Sequence, residues 1–394
     1  MRPPALALLA LLPLLAPRAA AAQSTPAPPA PAPAAPASLT PTLVAQLRFT
    51  ASEALDGAAP SPLLEVRRLR AGLRGSALGG RLSGAVVLNA TPAALELIDA
   101  WAEFALTPTL RLRGGQSKQP FTAYRMRSFT ELAFVDWALV TRVFGGERQL
   151  GFELHDRGAP RATEFSVGLW GGATVRSAHG QGVAAAYGEP VTNLSDLRAY
   201  ALPDAPHPEL TGRFVWRSPR EAAVRVDLGV SASVDLRPVE AHDLRAAVAP
   251  EAAVAAGPLR LELTGYLGAA DLVERPALGL LAGVLAELQG RVGERAVVAL
   301  RYARVELGDA LRADARARAD RLVNAAPADQ RAALQRRYGD AGRVAYDQEL
   351  TVGASVRLVG AALSAQADFG WLRTARDAGD RDELRGRAQL QLQL

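Results

Sequence analysis

The sequence predicts an all-β chain: residues 42–394 read as a sixteen-stranded antiparallel transmembrane β-barrel. Three observations carry this. From residue 42 onward the dominant hydrophobic period is two, as a strand between an apolar and a polar medium requires. The strands are long; Val224, Val226, Leu228, Val230, Ala232, Val234 and Leu236 alternate with Arg225, Asp227, Gly229, Ser231, Ser233, Asp235 and Arg237, whereas soluble sheets average about 5–6 residues per strand. The chain also closes on an alternating strand, with Leu390, Leu392 and Leu394 between Gln389, Gln391 and Gln393. A soluble sandwich shows the same alternation. Strand length, export and the terminal strand favour the barrel.

Residues 1–22 read as a secretory signal peptide. Arg2 supplies the positive start, Ala5 to Leu15 the apolar core, and Ala20 and Ala22 the small residues before a cut. Removing the segment takes away Arg2 and Arg18 and lowers the formal net charge from +5 to +3. No later stretch is long and apolar enough for a transmembrane helix. Residues 23–41 form a Pro/Ala-rich linker, read as a stiff periplasmic spacer.

The strands follow at 43–50, 63–76, 79–90, 95–106, 109–117, 148–156, 163–172, 208–217, 222–236, 245–256, 259–268, 277–289, 294–306, 346–358, 361–373 and 383–394. Proline- and glycine-bearing turns separate several pairs, as at Gly257-Pro258. The strand at 245–256 is the weakest, since Pro250 cannot donate to a ladder. Residues 309–338 break the pattern. Their Ala, Arg and Leu content predicts two helical pieces divided by Pro327, read as an extracellular loop. Trp170, Trp216 and Trp371 fall near strand ends, where an interfacial girdle would need them.

Composition excludes several functions. The chain has no cysteine, so a disulfide scaffold, a thiol enzyme and a Cys-ligated metal are ruled out. The four histidines, His155, His179, His207 and His242, form no ligand-spaced pair. No nucleophile elbow, P-loop or HExxH motif occurs, and neither a catalytic residue nor a cofactor is expected. Lys118 is the only lysine among 45 basic residues. That bias follows from a GC-rich coding sequence and implies no nucleic-acid partner.

Residues 63–217 resemble the phosphate-selective porin O and P family of the bacterial outer membrane. LLEVRRLRAGLRG (63–75) is similar to the family's strand with paired arginines. LELIDAWAEFAL and the run from LRLRGGQSKQPF to VDWAL (95–139) resemble its D-A-Y-V-D-Y and G-Q-x-K-x-P-F segments. GGERQLGFELHD (145–156) is similar to R-D-x-G-x-x-L-H-G, and 248–267 resembles a G-A-E-x-A-x-x-x-G-P hairpin. The resemblance implies a sixteen-stranded barrel, usually a homotrimer, among outer-membrane lipid, with a third loop folded into the lumen. That loop is Lys118 to Glu147; its aromatic residues also suit a segment packed against a wall, or an extracellular loop packed on itself.

A pore selects anions by presenting fixed positive charge where it narrows. Alternation places Arg68, Arg70 and Arg74 on one face, and Arg111 and Arg113 on another strand's polar face. Each of these arginines reads equally well as a wall residue paired with an acid such as Glu65 or Glu103. The resemblance implies an arginine ladder at Arg67 and Arg68, a loop cation at Arg125 with Arg127 beside it, Lys118 at the strand end, and a lumenal acid at Asp99. Bringing both Arg67 and Arg68 inward requires a bulge between Val66 and Leu69. In one place the chain departs from the pattern: Trp137 follows Asp136 where phosphate-specific members carry an arginine. The expected function is passive diffusion of small solutes with a preference for anions such as phosphate. The alternatives are a non-selective or structural outer-membrane barrel, and a soluble exported β protein that binds a ligand.

Overall fold

Alternation along each strand divides its side chains between two faces, and in the computed structural model the exposed face is the apolar one. Along one strand Leu350, Val352 and Val356 are exposed, while Glu349 and Thr351 on either side of Leu350 are buried. Phe152, Phe214 and Phe369 are exposed in the same way on other strands. A soluble sandwich would bury these side chains, each gaining roughly 1.5–3 kcal/mol on leaving water. An apolar belt around a polar interior is the inverse of that arrangement.

The structure describes residues 37–55, 60–90, 95–144, 148–158, 161–175, 208–236, 244–272, 276–338, 342–377 and 379–394. The signal segment 1–22 and the linker as far as residue 36 lie outside them. Sixteen strands are present: β1 (Ser38–Ala54), β2 (Ser61–Ala77), β3 (Leu82–Ala90), β4 (Leu95–Ala105), β5 (Arg111–Lys118), β6 (Arg148–His155), β7 (Thr163–Val175), β8 (Glu209–Arg217), β9 (Val224–Asp235), β10 (Leu244–Ala256), β11 (Leu259–Asp271), β12 (Leu278–Val292), β13 (Ala296–Leu307), β14 (Val344–Val359), β15 (Leu363–Arg376) and β16 (Arg381–Gln393). Each pairs antiparallel with the next, and β1 pairs with β16, so the barrel is closed. Closure leaves no strand edge unpaired. One end carries short connections such as 78–81 and 257–258; the other carries the long ones at 119–147 and 308–343.

Two expectations are corrected. Residues 38–41, assigned by composition to the linker, belong to β1 and pair with Leu73 to Ser76 of β2. Leu39 and Leu43 already carry the strand's alternation, which the prolines had masked. Trp170 is not in an outer girdle: its ring is on the interior face, 1% exposed, and its Nε1 donates to Thr211 Oγ1 at 2.8 Å. Trp216 does face outward.

β10 tolerates Pro250 at a gap in one ladder. Its pairing with β11 passes from Val248–Leu267 to Glu251–Thr264, so the missing N–H has no partner to satisfy there. Helices at Asp309–Ala325 and Ala328–Tyr338 flank Pro327, as the sequence requires. Leu311 and Ala315 of the first are buried in one apolar cluster with Leu272 and Leu281.

Candidate functional site

The connection between β5 and β6 is tied to the barrel wall along its whole described length. Two one-turn helices, Ala123–Met126 and Thr141–Phe144, shape it. Thr122 N–H donates to Ser231 Oγ of β9, and Ala123 N–H donates to Glu251 of β10. Val135 N–H donates to Asp368 of β15 at 2.9 Å, and Gln366 Nε2 donates to the Leu132 carbonyl at 2.6 Å. Phe121, Tyr124, Trp137, Val140 and Phe144 are buried against Ala247, Tyr266, Leu285 and Ala303 on β10–β13. Two glycines permit the approach. A Cβ at Gly283 would sit 2.7 Å from Val140, and one at Gly353 would sit 2.6 Å from Phe134.

Arg301 of β13 anchors the middle of this segment. Fully buried, it lies 4.2 Å from the centre of the Phe134 ring, donates to the Asp136 carbonyl at 2.9 Å and to the Tyr124 hydroxyl at 3.2 Å, and its Nε is 2.9 Å from Glu349. Burial pushes the Tyr124 phenol upward, so it stays neutral beside that guanidinium. Glu349 in turn accepts the Leu139 N–H at 3.2 Å.

The predicted cations separate into distinct groups. Arg67 is an extra residue in β2: pairing with β1 passes from Gln46–Arg68 to Leu47–Val66. That bulge turns Arg67 and Arg68 to the same side, where both reach Asp136, at 3.4 Å and 3.2 Å, and Arg48 joins them at 2.9 Å. Arg48 also pairs with Glu65. Arg111 and Arg113 both pair with Glu103, which His155 Nε2 approaches at 2.9 Å. Arg127 pairs with Glu262; burial opposes its charge, but Glu262 outweighs burial and raises its pKa. Arg125 is buried with its guanidinium 5.1 Å from the Trp137 ring centre, and the Lys118 ammonium lies at the same distance from that ring.

Arg70, Arg74, Asp99, Arg113 and Lys118 line one cavity of about 460 Å³, together with Arg148 and Arg157. Arg148 opens β6 and clamps Asp99 at 2.8 Å and 3.2 Å; Arg157 pairs with Glu153 at 2.7 Å. Arg70 donates to Asn89 at 3.2 Å and stacks 4.5 Å from the Phe129 ring. Lys118 donates to the carbonyls of Arg125 and Arg127, at 3.1 Å and 2.9 Å. Among the described residues Arg70, Arg74 and Lys118 have no carboxylate within ion-pair distance. Among the described residues six cations and one side-chain carboxylate line this cavity together with the terminal residue Leu394, and three of the cations, Arg113, Arg148 and Arg157, are paired with Glu103, Asp99 and Glu153. Among the described residues no group of three His, Asp or Glu side chains is placed to hold a metal.

No family profile matches the chain, and no curated protein matches it. Solved structures do share its fold. The outer membrane channel DcaP of Acinetobacter baumannii superposes with a TM-score of 0.57 at 10% identity, covering 91% of this chain and 98% of that one. The fold is that of outer-membrane porins. OprB of Pseudomonas putida (TM-score 0.56, 10% identity, 91% and 94% covered) and an anion-selective porin from Comamonas acidovorans (0.55, 11%, 91% and 100%) share the porin fold too.

Sequence reasoning missed Arg48, Arg148, Arg157 and Arg301. The parity of β1, β6 and β13 marks Arg48, Glu153 and Arg301 as interior residues, but parity alone does not say which interior residues meet.

Proposed function

We propose that the protein is an outer-membrane porin through which small solutes diffuse passively, with anions preferred. The observation that carries this reading is the cavity whose Arg70, Arg74 and Lys118 lack ion-pair partners among the described residues, inside a barrel with an apolar outer belt. Cations held in a narrow, low-dielectric passage draw anions in and repel cations. Residues 119–144 narrow the lumen against the β9–β15 wall, leaving the path along β1–β6. The chain is exported by its first 22 residues and works as a homotrimer in the outer membrane, with helices 309–338 at the outer mouth. The Comamonas porin shares only the fold, so anion preference rests on this chain's own charges. Arg67 and Arg68 carry the segment's own Asp136, which favours a general anion preference over phosphate specificity.

The test is reconstitution into liposomes. Vesicles containing the protein should swell in isotonic glycerol or glucose, and the unboiled protein should migrate differently from the boiled one on a detergent gel. Vesicles that stay tight to both solutes would reject the channel.

A further inference from the structure

Resting on that reading, the cavity on β1–β6 and β16 points to a narrower class of permeant. We propose that it takes an organic anion with a flat apolar body, such as an arene carboxylate or sulfonate, in preference to inorganic phosphate.

Size is the first reason. At about 460 Å³ the cavity falls within the ~300–1,000 Å³ of organic-ligand pockets. A bare oxyanion would leave most of it to water, each molecule taking ~30 Å³.

The lining is the second. Val44, Val87, Ile98 and Met126 share the wall with the rings of Trp101 and Phe129. Arg113 covers the Trp101 ring at 4.3 Å, and Arg70 and Arg68 cover the Phe129 ring at 4.5 Å and 4.9 Å, so flat guanidinium and ring surfaces alternate there. An arene stacks on either kind of surface. Chloride and phosphate gain nothing from them.

The distribution of donors is the third. Lys118 has given two of its three N–H groups to backbone carbonyls, and Arg70 has given its Nε–H to Asn89. The donors that remain, most of them on Arg70 and Arg74, gather at one side of the cavity and can hold the head of a carboxylate or sulfonate while its body lies on the apolar wall. The ligand's head therefore sits on Arg70, Arg74 and Lys118, and its ring on Phe129, Met126 and Val87.

Four probes test this by their block of chloride current in planar bilayers: benzoate, acetate, benzamide and phosphate. Benzoate and acetate share charge and head group; benzoate and benzamide share the ring. Benzoate should block at about tenfold lower concentration than acetate, with benzamide and phosphate weaker still. Phe129→Ala should erase the difference between benzoate and acetate, and Arg74→Gln should weaken both. The wild-type comparison stands without either variant. An open, anion-preferring channel that benzoate blocks no better than acetate, or that phosphate or benzamide blocks as well as benzoate does, would overturn the inference and leave the porin reading intact. Absence of a channel, or preference for cations, would reject the reading and the inference with it.

Discussion

Replacing Asp136 by Asn makes the channel more anion-selective and more easily blocked by phosphate. Three guanidiniums converge on this one carboxylate, at 2.9, 3.4 and 3.2 Å. It acts as a tethered anion that offsets the charge of Arg48, Arg67 and Arg68. Asn keeps an acceptor for the N–H of Trp137, which Asp136 Oδ1 receives at 3.0 Å, and removes only the charge. One added positive charge about 8 Å from a permeant ion is worth roughly 0.5 kcal/mol at the dielectric of water. It acts with opposite sign on chloride and potassium, so their permeability ratio should rise about three- to sixfold. Arginine donors released from Asp136 then become available to phosphate. Selectivity unchanged in Asp136→Asn would place the Arg48–Arg67–Arg68 cluster off the permeation path.

Arg301→Met has the largest structural effect. Arg301 and Glu349 are both buried, and removing Arg301 leaves Glu349 with only Arg385, 3.8 Å away, to offset its charge. Leaving a buried charge wholly unpaired costs about 3–5 kcal/mol, and Arg385 offsets part of that here. The same change removes the donors that hold the Asp136 carbonyl and the Tyr124 hydroxyl. Single-channel records should show a larger, noisier conductance as residues 119–144 loosen, and the heat-modifiable gel shift should be lost at a lower temperature. Adding Glu349→Leu removes the stranded charge and should restore much of the thermal resistance. It should not restore the quiet conductance, because Leu139 N–H also loses its acceptor. A quiet, unaltered channel in Arg301→Met would mean that the segment is held by other contacts.

How much of this the sequence discloses depends on the range of the interaction involved. All sixteen strands are legible, because alternation is written between neighbours two residues apart. The break at Pro327 is equally local. The bulge at Arg67 is legible only through the family resemblance, which asks both adjacent arginines to face inward where alternation would send one outward. What is hidden is which interior side chains meet. Asp136 lies 88 residues from Arg48, and Arg301 lies 177 from Tyr124; nothing in a period of two encodes those pairings. So Arg67, Arg68, Arg70 and Arg74, alike in the sequence, separate in the barrel: the first two bind a carboxylate, while the last two face an open cavity. Trp170 misled for the same reason, since a tryptophan near a strand end reads as an interfacial anchor until the parity of β7 turns it inward.

The central claim is that cations without ion-pair partners among the described residues line the path of permeation. The zero-current potential across a planar bilayer under a tenfold KCl gradient tests it most directly. The account predicts a potential of the sign set by chloride, with a chloride-to-potassium permeability ratio above one at 0.1 M salt. The ratio should fall toward one as salt approaches 1 M, since the screening length shrinks from about 10 Å to about 3 Å. A potential of the sign set by potassium, or none at the lower salt, would contradict it.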